Sequence, residues 1–164
     1  MRELLAPAMA AVKATPVASF IILVLIWVPS RNLSVVISFL MVLPVIYTNV
    51  LNGIQDTDGQ LLEMAGVFRV SRWKRIRYIY LSSVLPFFRA GCSLGLGLCW
   101  KAGVAAEVIG IPQGSIGEKL YEAKVYLETP HLFAWTVVII ILSILFEKVF
   151  LFLTDLFVRK VESM

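Results

Sequence analysis

Residues 55–86 read QDTDGQLLEMAGVFRVSRWKRIRYIYLSSVLP, a polar and basic interruption set between long apolar runs. Upstream lies a run from about Leu33 to Ile54 that holds no charge, and downstream one from about Val84 to Val108 that contains Arg89, Lys101 and Glu107. Two more runs flank these. One extends from about Ala8 to Val28 with Lys13 and Pro16 inside it, the other from about Leu132 to Leu153 with Glu147 and Lys148. Each is close to the roughly 20 mostly apolar residues that a helix needs to cross a bilayer.

Composition agrees with that reading. Hydrophobic residues make up 59% of the 164 positions and charged residues 16%, with a mean hydropathy of +0.86. A soluble domain is about half apolar, so lipid is the solvent that fits this surplus. In lipid a segment must satisfy its own backbone N–H and C=O groups, and helices do this where open sheets cannot. The expected fold is all-α: one polytopic membrane domain over residues 1–164, with about four transmembrane helices (8–28, 33–54, 84–108 and 132–153) and a two-helix loop at 55–83.

The charge pattern orients it. Arg69, Arg72, Lys74, Arg75 and Arg77 crowd into the interruption, and Arg159 and Lys160 lie at the C-terminal end. The 110–131 connection sets two lysines against Glu118, Glu122 and Glu128. Basic loops stay on the cytoplasmic side, so the interruption and both termini are expected there. The net charge of +4 is then largely this asymmetry, and no nucleic-acid partner is needed to account for it.

Within the interruption, Asp56, Asp58 and Gly59 signal a turn and a helix start. Leu61, Leu62, Ala65 and Phe68 recur at helical spacing on one face. A break follows at Arg69–Val70–Ser71, where Ser71 is placed to cap a second helix. In that helix Trp73, Ile76 and Tyr80 form an apolar stripe while Arg72, Lys74, Arg75 and Arg77 face water or phosphates, and Pro86 marks entry to the next span. By residue chemistry alone this is either a basic hairpin resting on anionic headgroups or a docking element for a soluble protein. The 110–131 connection opens irregularly at Gly110, Pro112, Gly114 and Gly117. A short helix follows from Glu118 to Glu128, with Leu120, Tyr121, Lys124 and Leu127 on a shared side. It is either a surface helix at the outer face or a contact for an external delivery protein.

Cys92 and Cys99 are seven apart, about 10 Å along a helix, too far for a mutual disulfide, and read as small packing residues. His131 stands without cysteine neighbours, so no metal site is expected. Gly91, Gly95 and Gly103 give the third span a small-residue face, and Gly91-x-x-x-Gly95 is a close-packing pattern suited to the domain centre or a dimer interface. A charge at membrane depth costs a few kcal/mol. Arg89 and Lys148 near span ends snorkel, whereas Lys101 is deeper. It faces either a polar path through the helices or a carboxylate from another span. Glu107 sits near the outer end, and a six-residue separation does not place it on Lys101's face.

Glu63-Met64-Ala65, a turn near Arg69, then Ile79, Leu81 and Leu85-Pro86 resemble the cytoplasmic coupling loop of binding-protein-dependent ABC importer permeases. There a Glu-Ala-Ala triplet, a Gly and an Ile-x-Leu-Pro ending recur. LLEMAGVFRVSRWKRIRYIYLSSVLP and WKAGVAAEVIG–GSIGEKLYEA are most similar to the nitrate/sulfonate/taurine branch, over about Pro7 to Val158. Two positions depart from the pattern. The family Gly falls on Arg69, where a left-handed backbone costs roughly 1 kcal/mol unless the turn shifts toward Gly66, and the first Pro falls on Ser82. Members of the family generally carry two further N-terminal spans, so the resemblance implies that this chain is expected to be a truncated, fragmentary or reduced form.

The resemblance implies a transport permease, not an enzyme. It would couple a small solute, an anion by that branch, to ATP held on a partner ATPase, with no cofactor of its own. The coupling residues it implies are Leu61, Leu62, Glu63, Met64, Ala65, Gly66, Phe68, Arg69, Ser71 and Trp73. Leu61, Leu62, Ala65 and Phe68 would form the docking face and Ala65 would permit close approach; Lys101 and Glu107 are path candidates. Implied partners are a cytoplasmic ATP-binding subunit, an extracytoplasmic solute-binding protein, a second permease copy and membrane lipid. A degenerate scaffold that docks an ATPase without transporting is the alternative.

Overall fold

The computed structural model describes the backbone of residues 2–162 and the side chains of 5–156 and 158. The side chains of Arg159 and Lys160, counted above for orientation, lie outside the described residues. Among the described residues every regular element is helical: α1 (Arg2–Ala14), α2 (Val17–Leu25), α3 (Ser30–Gln55), α4 (Gly59–Val67), α5 (Arg72–Arg75), a π-helical segment (Ile76–Tyr80), α6 (Leu81–Gly110), α7 (Ile116–Val125) and α8 (Thr129–Glu162). The all-α polytopic fold is as expected, with three helices long and apolar enough to cross a membrane: α3, the continuous Arg72–Gly110 helix and α8 over Thr129–Leu156.

The first expected span differs. Residues 8–28 are not one helix, because Leu5–Ala14 and Val17–Leu25 meet at 104°. Pro16 has no N–H to continue the ladder, and its ring drives Thr15 out of the helical region. Pro86 behaves otherwise. It lies inside α6 rather than at an entry point, and helix runs unbroken from Arg72 through it. The register is relaxed upstream, where Leu81 N–H bonds to the Ile76 carbonyl, a five-residue step characteristic of π-helix. α8 also overruns its expected end at 153. Glu147 and Lys148 therefore stand within a long apolar helix, more than a dozen residues before its last residue, Glu162. Glu147 is half-buried and Lys148 exposed.

The contacts fall into two units. The first comprises 1–44 and 95–148. Its core is Ile21 of α2, Leu33 and Ile37 of α3, and Ala102 and Ala106 of α6, with Phe20, Val24, Leu25 and Met41 packed against it. The alanines let α3 come close. Ser38 Oγ donates to the Cys99 carbonyl at 3.0 Å, and a Cβ at Gly103 would stand 2.9 Å from that hydroxyl. Such small-residue contacts replace the hydrophobic drive that is missing between helices in lipid.

α7 folds back onto the end of α6 in the same unit. Ser115 caps it by accepting from Glu118 N–H at 3.0 Å, and Glu118 Oε2 reaches back to Gly114 N–H at 2.7 Å, a reciprocal arrangement close to a capping box. Its inward residues are Gly117 and Ala123. Lys124 and Leu127, expected on the shared side with Leu120 and Tyr121, are exposed, because only residues without bulk fit against α6. Outside the spans, Lys119 bonds to Glu122 at 2.8 Å, and this carboxylate raises the Lys119 pKa.

The second unit comprises 45–94 and 149–164. Here a Cβ at Gly53 would lie 2.9 Å from Val84 Cα, and one at Gly91 would lie 3.0 Å from Asn49 Cβ. Gly91 and Cys92 are buried here, as Gly95 is in the first unit, so the small-residue face of α6 is used, at least at Gly91, for packing within this chain. Arg89, expected to snorkel alone, forms a two-pronged ion pair with Asp155 of α8, its second prong 2.8 Å long. The partner was not legible from α6 because Asp155 is distant in sequence.

Gly117 marks the tightest approach in the first unit. A Cβ there would lie 2.2 Å from Glu107 Cβ, 2.6 Å from the Glu107 carbonyl carbon and 2.7 Å from Val108 N. Backbone atoms cannot swing aside, and overpacking of this kind costs about 1–3 kcal/mol. Gly117→Ala is expected to lower the thermal unfolding midpoint in detergent, while Gly66→Ala, with open space at its Cβ, leaves it unchanged or higher.

Candidate functional site

The expected coupling segment is built as two helices joined by a tight turn, all within the second unit. Asp58 starts α4 by accepting from Gln60 N–H at 2.8 Å. The helix is nine residues long and ends in Phe68 and Arg69. Arg69 has φ 52°, so the left-handed residue is Arg69 itself, at the family Gly position, and the turn has not moved to Gly66. Two bonds close it: Arg69 N–H to the Gly66 carbonyl at 3.1 Å and Val70 N–H to the Ala65 carbonyl at 3.0 Å. This pairing satisfies carbonyls that a helix end leaves open. Ser71 occupies the cap position of α5, but its side chain makes no capping bond.

Exposure sorts the expected docking residues. Ala65 is 3% exposed and Leu62 is half-buried, so both face the chain's own interior. Ala65 permits a close approach to its own chain, not to a partner. Leu61, Met64, Val67, Phe68 and Trp73 are exposed, as are Glu63, Gly66, Arg69 and Ser71. Leu61, Met64 and Phe68, at i, i+3 and i+7, share one face. The alternation at Leu61–Leu62 concealed which leucine faces out, and only the packing of α4 decides it.

The basic residues also divide. Arg72, Lys74 and Arg77 are exposed and Arg75 is half-buried. Arg77 lies 5.9 Å from the Tyr78 ring centroid, within cation–π range.

Lys101 and Glu107 both fall in the first unit but in different settings. Lys101 lies on α6 at the rim of a cleft of about 440 Å³ whose other wall is α8, with Trp100, Thr136, Ile140 and Ser143 around it. The lysine is exposed, and none of the described residues hydrogen-bonds to it or pairs with it; a structural pairing with a carboxylate of another span is therefore not what these residues provide. Thr136 returns its hydroxyl proton to the Leu132 carbonyl at 2.8 Å.

Glu107 borders a second cleft of about 270 Å³ with Ser34, Ser38, Cys99 and Trp100. Its carboxylate accepts from Gly117 N–H at 3.1 Å, at the start of α7, where a negative charge is favoured by the helix dipole. Glu107 is thus a strut for α7. Trp100 borders both clefts and meets Phe146 edge-on at 6.0 Å. Ser34 and Ser38 had no distinguishing signal in the sequence, since serines on an apolar helix commonly bond to their own backbone. Among the described residues no cluster of His, Cys, Asp or Glu is arranged for a metal ion.

Arg69 bears a penalty of about 1 kcal/mol for its left-handed backbone, partly offset because glycine would gain unfolded-state entropy. Arg69→Gly is expected to hold or slightly raise the thermal midpoint, whereas Arg69→Val, β-branched at positive φ, lowers it by the equivalent of about 1–2 kcal/mol. A fall with glycine as large as with valine would contradict this account of the turn.

Comparison with known proteins adds the lineage. Binding-protein-dependent transport system inner membrane components match residues 1–163. A Bacillus subtilis permease named for aliphatic sulfonates is 31% identical over 117 residues, covering 71% of this chain and 39% of its own. A Chloroflexus aurantiacus permease named for riboflavin transport is 28% identical over 134 residues, covering 81% and 50%. The taurine transport permease of Escherichia coli is 26% identical over 148 residues, covering 90% and 54%. The chain spans about half or less of the length of these curated relatives.

Proposed function

This chain belongs to the family of binding-protein-dependent transport system inner membrane components, and from that membership we propose that it is a membrane-spanning subunit of an ATP-driven importer for a small anion. The observation that carries the coupling half of this reading is α4. It is a capped helix with Leu61, Met64 and Phe68 exposed on one face and Ala65 buried behind it. An apolar helix face beside the basic side chains of Arg72, Lys74 and Arg77 suits a cytoplasmic protein partner. The partner is a separate ATP-binding subunit, so the loop and the C-terminal end of α8 face the cytoplasm; the N-terminal end joins them where the bent α1–α2 pair counts as one span.

ATP is hydrolysed on that partner. Its closure displaces α4, and the equilibrium between inward- and outward-open states shifts by as much as the partner's contacts with α4 differ between them. α7, on the opposite polarity of the loop pattern, offers the surface for an extracytoplasmic solute-binding protein, and a second permease copy completes the path.

Lys101 supports the anion. A lysine within an apolar span, bordering a cleft and bonded to no described residue, is costly to keep and gains from a negative solute. Sulfonates, and the sulfonate group of zwitterionic taurine, for which two of the relatives are named, carry that charge; riboflavin, named for a third, does not, so the charge preference rests on Lys101 and not on the family.

Two measurements test this reading. The ATPase subunit is expected to copurify with the wild-type chain and to be lost with Met64→Glu combined with Phe68→Glu, at an unchanged thermal midpoint; retention would refute α4 as the docking helix. In vesicles holding the assembled transporter, Lys101→Met is expected to raise KM for taurine uptake by about tenfold, the equivalent of one partly screened charge contact, with Lys101→Arg close to wild type. Unchanged KM in Lys101→Met removes the lysine from the path, and a copurifying ATPase without any uptake leaves a docking scaffold.

A further inference from the structure

The exposed cations of the loop are what a basic cytoplasmic segment normally presents. Arg75 is not among them. It is half-buried while Arg72, Lys74 and Arg77 are exposed, and its guanidinium is turned back across the turn. Nη2 donates to the Ala65 carbonyl at 2.9 Å and Nε to the Val70 carbonyl at 3.0 Å. The Ala65 carbonyl already accepts from Val70 N–H, so both its lone pairs are engaged. A single planar group on the first turn of the Arg72–Gly110 helix thereby holds the last turn of α4 and the far side of the Phe68–Ser71 turn.

Two features make that bracing consequential. The turn is otherwise held by two backbone bonds and a non-glycine residue at φ 52°, and Ser71 adds no side-chain cap. A charged, forked donor at a helix C-terminus is strong where the backbone bonds alone are modest. Moreover Arg75 lies on the helix that continues without interruption into α6, so whatever it grips is tied to a span. Without it, a displacement of α4 would be taken up by rotation at Arg69 and Val70.

We propose that Arg75 is the positioning residue of the coupling joint: it makes α4 and the start of the Arg72–Gly110 helix move as one body, so that a push on α4 reaches α6. The inference rests on the reading of α4 as the ATPase-docking helix. Arginine is required for the two-carbonyl grip because its fork places two donors at fixed separation; lysine offers a point charge that satisfies one carbonyl at a time.

The test uses the transporter assembled with its ATPase in vesicles, carrying Cys92→Ala so that Cys99 on α6 is the remaining native thiol. Alkylation of Cys99 by N-ethylmaleimide is timed with and without ATP and vanadate. In the parent the rate is expected to depend on ATP. In Arg75→Ala, which loses both charge-assisted bonds, that dependence is expected to fall by about tenfold or more. ATPase copurification and ATP hydrolysis stay within twofold of the parent. Arg75→Lys is expected between the two.

A full ATP dependence in Arg75→Ala overturns the proposal. If that variant does not assemble, Arg75→Gln, which keeps one neutral donor, decides by the same ratio. A parent whose ATPase does not copurify overturns the docking reading itself, an outcome distinct from a docked ATPase that still drives α6 without Arg75.

Discussion

The constraint on which the structure depends is that α3 and α6 must come close without a hydrophobic drive to press them together. Lipid is as apolar as any leucine, so helices associate by contact and hydrogen bonding where side chains are short enough to allow it. In one unit Ser38 reaches the Cys99 carbonyl and abuts Gly103; in the other Gly91 abuts Asn49 and Gly53 abuts Val84. Each contact has a small residue on at least one side. The alanines Ala102 and Ala106 complete the pattern in the core. Large apolar residues such as Ile22, Phe39 and Ile141 are left facing outward, the inverse of a soluble fold.

With the spans packed in this manner, the chain's irregular features gather at helix ends. Arg69, Ile111 and Leu127 all adopt positive φ, and each follows the close of a helix. At α7, Leu127 and Glu128 bond to the Lys124 and Ala123 carbonyls, the same pairing that closes α4, with Ala123 buried where Ala65 is buried. The buried alanine in each case sits where the chain turns back on its own helix. Glycine is the usual occupant of the left-handed position. Its absence at these three ends means that the bonds formed there must outweigh the local strain.

Much of the architecture was legible because lipid leaves few choices. An apolar run of sufficient length in a membrane becomes a helix, and a basic, turn-rich interval becomes a loop. Asp58 as a helix start and Arg69 as the break both followed from local chemistry. The misreadings arose where a local signal competed with a longer-range one. Pro86, a boundary signal by its chemistry, lies inside a helix that passes through it with a π segment upstream. Ala65 shares a helical face with Leu61 and Phe68 by spacing, and the resemblance made that face the docking one, yet its small size suits it to the interior, where it is buried. Arg89 and Glu107 looked like isolated charges until Asp155 and Gly117 were brought to them.

The amino-acid sequence by itself determined the solvent and the helical class, because those follow from the free energy of placing polar backbone and charged side chains in or out of hydrocarbon. It also carried enough of the loop pattern to point to the family. Only the tertiary structure decided which side of α4 is free, which arginine of the basic cluster turns inward, and that Lys101 borders a cleft while Glu107 braces a helix. Those outcomes depend on which atoms meet across helices far apart in the chain, and the spacing of residues along one helix does not contain that information.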